Sequence, residues 1–180
     1  MKLPFFAAIV AASAAFSVQL AQADPAFSVT SPIIYDTGDS WSQQGRHYRL
    51  YGVQACIRGT AYVSASGAKG DCGAASVAML AGLFDSLQVN CTPVVQGQDG
   101  VNIVICAGVS NDRPLDIGGA MISAGFAFAA EKPDGAPVNL AYFASEICAK
   151  SDHAGLWGAA SFTHPVQMLR ELARQARPQP

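Results

Sequence analysis

Basic side chains are scarce in this chain: Lys and Arg together number 11 in 180 residues, against 13 Asp and Glu. Proteins that hold nucleic acid through its phosphates usually carry a basic patch, so this balance argues against general nucleic-acid affinity. There is no Cys-x-x-Cys pair, which removes the usual zinc spacing. The three histidines, His47, His153 and His164, show no spacing with one another, a cysteine or a carboxylate that would make a triad or metal cluster. They are expected to be surface or strand residues. No internal repeat or low-complexity tract is present.

The longest apolar stretch stands at the start. Lys2 precedes Phe5-Phe6-Ala7-Ala8-Ile9-Val10-Ala11-Ala12, and small residues lead to Ala21-Gln22-Ala23. A short positive region, an apolar region too short for a good membrane span and an A-x-A site together predict a signal peptide over 1–23. The mature chain would then be 24–180, exported to the periplasm or secreted, with no span left after cleavage. Lys2 is the only charged residue of the leader, so the remainder carries a formal charge of about −3 against −2 for the whole. Its length suits one domain with a sizeable core.

Turn signals divide that domain. Ser28–Tyr35 and Ser40–Gln43 have the composition of short strands around the turn Asp36-Thr37-Gly38-Asp39. His47–Val53 alternates polar and apolar residues, and Gly59–Gly70 reads as a Gly/Ser/Ala surface loop. Ala74–Phe84 has the apolar spacing of a helix, followed by a hairpin of Leu87–Cys91 with Val101–Ala107. Helices are expected at Leu115–Phe126, stopped by Gly125, and at Leu140–His153, capped by Asn139. An amphipathic segment, Val166–Ala176, closes the chain and puts Arg170, Arg174 and Arg177 on one solvated face. Strands early and helices late describe an α+β fold, a small barrel plus helices.

All five cysteines lie after the leader, a density that in an oxidising compartment reads as disulfides. Cys91 and Cys106 end the two hairpin runs and could bridge them. Cys56 and Cys72 would then close the loop between them and leave Cys148 free, though five cysteines allow other pairings.

Several short motifs then occur in a telling order: Gly38-Asp39-Ser40, Arg49-Leu50-Tyr51-Gly52, Cys72-Gly73-Ala74-Ala75, Val89-Asn90-Cys91, and Asp116 to Ala127 in the pattern D-[IL]-G-x-x-[ML]-[IV]-x-x-G-[FW]-A. Tyr142, Glu146, Gly155-Leu156-Trp157-Gly158, Phe162, Pro165 and Arg170 complete the series. In this order the chain resembles the staphylococcal thermonuclease-like family over about residues 33–170. The resemblance implies a five-stranded OB-type β-barrel with three helices and a C-terminal helical tail.

Active members of that family bind calcium and cleave phosphodiesters. The resemblance matches Asp39 to a metal-binding aspartate and Arg49 to the first phosphate-binding arginine. It also implies three losses. Gln54 stands for the second metal aspartate, Ile57 for the glutamate that acts as base, and Val101 for the second arginine. One carboxylate beside an amide is a weak site for a hard cation. Ile57 cannot take a proton, which forfeits roughly two to four powers of ten in rate. Without the second arginine, charge on the phosphoryl oxygens loses a bidentate partner.

Asp36 and Asp99 are the nearest acids that could step in, but acids in turns usually serve turn geometry. Arg58 is expected to be a solvated loop arginine, Trp157 a packing residue, and Arg49 could be kept by a salt bridge to Asp39. The expectation is a binding or structural module that has lost catalysis and needs no cofactor. Calcium would matter only if a weak or altered nuclease activity survived. A role as an accessory protein of the cell envelope or of surface polysaccharide production rests on family analogy alone. The sequence names no partner and no oligomeric state.

Overall fold

The computed structural model describes residues 25–97 and 99–176. The predicted leader, Gln98 and Arg177 lie outside these described residues. In chain order the elements are β1 (Phe27–Ser28), β2 (Ile33–Thr37), β3 (Ser40–Gln43), β4 (Arg46–Leu50), β5 (Val53–Ala55), β6 (Ala61–Val63), β7 (Lys69–Asp71) and α1 (Cys72–Ser86). Then come β8 (Asn90–Gln96), β9 (Asn102–Ser110), β10 (Arg113–Asp116), α2 (Ile117–Ser123), β11 (Ala127–Ala129), α3 (Leu140–Ser151), a 3-10 turn (Gly155–Gly158) and α4 (Pro165–Gln175). The fold is α+β, a curled mixed sheet with four helices among the described residues.

The main sheet runs β1-β8-β9-β4-β3-β2, with β10 also on β9. All its pairings are antiparallel except β4 with β9. β1 and β2 stand at opposite ends of this order, yet only Val29 to Pro32 separates them. The sheet must therefore curl until its two edges nearly meet. Gln43 of β3 spans the remaining gap: its Nε2 donates to Ser28 O at 3.0 Å and Thr30 Oγ1 at 3.2 Å, and its Oε1 accepts from Thr30 N at 3.1 Å. The buried Gln43 side chain thus finds its partners, backbone groups among them, across the gap.

Local chemistry explains the turns and caps. Gln44 and Gly45, both at positive φ, form the two-residue link between β3 and β4, the backbone that right-twisted hairpins favour. Gly38 leaves no room for a side chain, since a Cβ there would meet Ser76 of α1. Asp71 caps α1, accepting from Ala74 N at 2.9 Å and Gly59 N at 2.8 Å, and these backbone donors hold its carboxyl below the usual range. Asn139 caps α3 through Ala141 N and Tyr142 N. Asp116 caps α2 through Gly119 N at 3.1 Å and accepts the Tyr142 hydroxyl at 2.9 Å. Burial, then that carboxylate, pushes the Tyr142 phenol well above its usual range.

Two cores result. The larger fills the curl of the sheet around Trp41, which stacks on Tyr48 and meets the edge of Phe84. The smaller gathers Cys56, Cys72, Phe128 and Leu156, with Trp157 and Phe162 against them. The ribbon β5–β11 belongs to both: Val53, Ala127 and Ala129 join the first core, while Phe128 joins the second. Disulfides join Cys56 to Cys72 and Cys91 to Cys106, and Cys148 is free and exposed. Two such bonds fit an exported protein. Among the described residues no helix is long and apolar enough to cross a membrane.

Several expectations need correction. The Gly/Ser/Ala segment after Gly59 is not all loop, because it folds into the hairpin β6–β7. Ser28–Tyr35 is interrupted before β2, and His47–Val53 is cut at Tyr51-Gly52, where Gly52 has φ of 71°. Leu115 and Asp116 belong to β10, so α2 begins at Ile117 and ends at Ser123. The second hairpin is longer and later than expected, Asn90–Gln96 with Asn102–Ser110. The four helices correspond to the expected three plus the helical tail, but the strands exceed five, among the described residues.

Candidate functional site

The turn after β2 places Asp39 almost wholly out of solvent, at 2 % exposure. Leu50 N donates to Asp39 O at 2.8 Å, which locks the turn onto β4. In the β3–β4 register Arg49 lies opposite Ser40, so its guanidinium falls over the neighbouring aspartate. Asp39 Oδ2 accepts Arg49 Nε at 3.1 Å and lies 2.9 Å from its Nη2, a close charged contact. Asp39 Oδ1 accepts the Thr37 hydroxyl, which lies 2.6 Å from the Ser40 hydroxyl. A buried carboxylate is thus fully partnered from within.

Beyond β4 the chain returns as β5 and brings Gln54 alongside. Gln54 Oε1 accepts Arg49 Nη2 at 3.2 Å, and its Nε2 donates to Ala55 O at 2.9 Å. Ile57 and Arg58 follow on the loop closed by Cys56–Cys72. Ser76 of α1 ties this loop down by accepting Cys56 N at 3.2 Å and donating to Phe126 O at 2.6 Å. Arg58 is no freely solvated arginine: its Nε and Nη2 donate to Asp36 O at 3.1 Å and Tyr35 O at 3.2 Å. These residues line a cavity of about 290 Å³.

Asp39, Arg49, Gln54, Ile57 and Arg58 are therefore neighbours, as their order in the sequence implied. Val101 is not among them. It sits on the connection between β8 and β9, where its N–H is held by Asp99 Oδ1 at 3.2 Å, and neither residue lines the cavity. Asp36 also turns elsewhere, accepting the Ser42 hydroxyl at 3.0 Å beside His47. Both acids serve local geometry, and neither supplies a second carboxylate to the cavity.

The donor set does not fit a calcium ion. Such a cation takes roughly six to eight oxygen ligands, whereas the side-chain oxygens of this cavity are one carboxylate and one amide oxygen, both beside Arg49, and the Thr37 and Ser40 hydroxyls, which are engaged with each other and with Asp39. Among the described residues no group of three or more His, Cys, Asp or Glu is placed to hold a metal. No side chain here can accept a proton from water except the ion-paired Asp39. Two guanidinium groups against one carboxylate leave an excess of one positive charge. Arg49 keeps 42 % of its side chain exposed, so that charge is open to an anion.

Three pairs escaped sequence reasoning. His164 is no surface or strand histidine: it is largely buried before α4, with Nε2 3.0 Å from Glu146 Oε1. Glu146 Oε2 accepts Ala129 N at 2.6 Å. Arg170 pairs with Glu131 and Arg174 with Glu171, so the arginine face of α4 is partly neutralised. No local spacing links His164 to Glu146 or Arg170 to Glu131; only the packing of α3, α4 and the chain after β11 does. Trp157 packs against Phe128 and Phe162. No protein-family model matches the chain, and no curated protein matches it.

Proposed function

We propose that this chain is an exported thermonuclease-like domain protein whose barrel site has lost catalysis and serves as a binding or structural module. One observation carries the reading: Arg49 occupies the acceptor atoms of Asp39 and Gln54, the positions the resemblance gives to metal ligands, while Ile57 stands at the base position. Hydrolysis needs a positioned base or a metal-bound water, and this cavity offers neither. A surplus guanidinium charge within reach of solvent suits the retention of an anion rather than its cleavage.

The strand order supports an OB-type barrel. Three antiparallel strands (β2, β3, β4) are followed by a parallel step to β9 and its hairpin partner β8, and β1 returns to β8. The two disulfides and the leader-like start support export.

The test is incubation of the purified mature protein with plasmid and with denatured DNA in calcium. The expected result is intact nucleic acid. Calcium-dependent degradation that disappears in both Asp39→Ala and Arg49→Ala would establish the competing reading, a weak or altered phosphodiesterase.

A further inference from the structure

We infer that the cleft between α3 and α4 binds a small amphipathic anion, an alkyl or aromatic body bearing a carboxylate or sulfonate. The cleft encloses about 440 Å³ and shares no lining residue with the Arg49 cavity. That volume falls in the lower part of the range of roughly 300–1,000 Å³ typical of small-molecule sites. Its apolar surface comes from Trp157, Phe162, Phe143, Ile147 and Val166. Trp157 and Phe162 meet edge to face at 5.2 Å, and Phe128 backs both rings at 5.5 and 5.7 Å, so this wall is rigid. Phe143 and Ile147 are 42 % and 54 % exposed, which leaves two large apolar groups at the rim in water.

Charge selects the ligand's polar end. Both oxygens of Glu146 are engaged, by His164 and by Ala129 N, and Glu131 is paired with Arg170. Glu146 keeps its negative charge when His164 is neutral, but both its oxygens already face donors of the protein, as does Glu131. Lys150 differs. Its ammonium lies 5.4 Å from the Trp157 ring centre, and among the described residues it has no carboxylate at ion-pairing distance. A ligand whose apolar body lies on Trp157 brings its head beside this cation. An anionic head complements it, a cationic head is repelled, and a neutral one leaves the attraction unused.

The test is calorimetric titration of the full mature protein with decanoate, with 1-naphthoate and with the uncharged 1-naphthalenemethanol. The expected result is saturable one-site binding of at least one anion, tighter than the alcohol. Preference between the two anions then assigns an alkyl or an aromatic ligand. Lys150→Ala should weaken the anion by roughly threefold to fivefold and leave the alcohol unchanged. Ile147→Asp, at an exposed position that should leave thermal unfolding unaltered, should abolish anion binding. Absence of saturable binding by either anion overturns the inference. So does equal affinity for all three probes, or binding that neither substitution changes.

Discussion

The Arg49 cavity and the α3–α4 cleft are joined by one ribbon, with Gln54 of the cavity in direct register with Phe128 behind the cleft, yet they dispose of charge differently. In the cavity the aspartate and the amide oxygen are spent on the guanidinium beside them. In the cleft both carboxylates are spent, but Lys150 is not. Both places hold several charged side chains, so a count of charges would rank them alike. What a ligand meets is the charge left after internal pairing. The cavity offers Arg58, held only by backbone carbonyls, and the exposed part of Arg49, with no proton acceptor free to work; the cleft offers the Lys150 cation over an aromatic floor.

The strongest way to break the comparison is to remove its shared support. Phe128 is fully buried, and Phe128→Ala should cost about 4 kcal/mol of stability in urea unfolding. In the fraction still folded, the rings of Trp157 and Phe162 lose their backing, so probe binding in the cleft should fall. Next comes the ion pair. Arg49→Met strands a buried carboxylate and should cost about 3 kcal/mol, the low end for such a loss because the arginine is partly exposed. Adding Asp39→Asn should recover part of that cost, since the uncharged amide needs no cation. Recovery of nothing would mean that Arg49 acts through packing alone.

The smallest effect should come from Tyr142→Phe, about 1 kcal/mol at neutral pH for one hydrogen bond to Asp116. Its pH dependence is more telling. The folded phenol is raised above the unfolded value of about 10, so its stabilisation is complete below about pH 10 and lost as pH rises from there. Tyr142→Phe should therefore flatten the alkaline fall in stability. Tyr35, raised by burial and then by Asp85, keeps a residual slope of the same sign.

Elements whose signals are local were legible in the sequence. α1, α3 and α4 carry their own apolar periodicity, caps or starting proline, and β3 and the hairpin strands carry turn residues at their ends. β11 was missed because Ala127-Phe128-Ala129 looks like the end of a helix until β5 pairs with it. β6 and β7 hide in small residues whose strand character comes from pairing and from Asp71 holding the loop. At the site, Asp39, Arg49, Gln54, Ile57 and Arg58 converge because β4 and β5 are consecutive and the β2–β3 turn folds over them. Val101 was assigned to the same site by family pattern; it stands two residues before Ile103, the β9 partner of Arg49, and does not line the cavity. The Glu146–His164 pair depends on how α3 meets the start of α4, which no short window encodes.

The most direct test of the central claim, that Arg49 fills the place a cation would need, is a calcium titration of the mature protein by calorimetry. No saturable heat up to millimolar calcium is expected. Binding of one calcium per chain at micromolar concentration, abolished by Asp39→Asn, would contradict it.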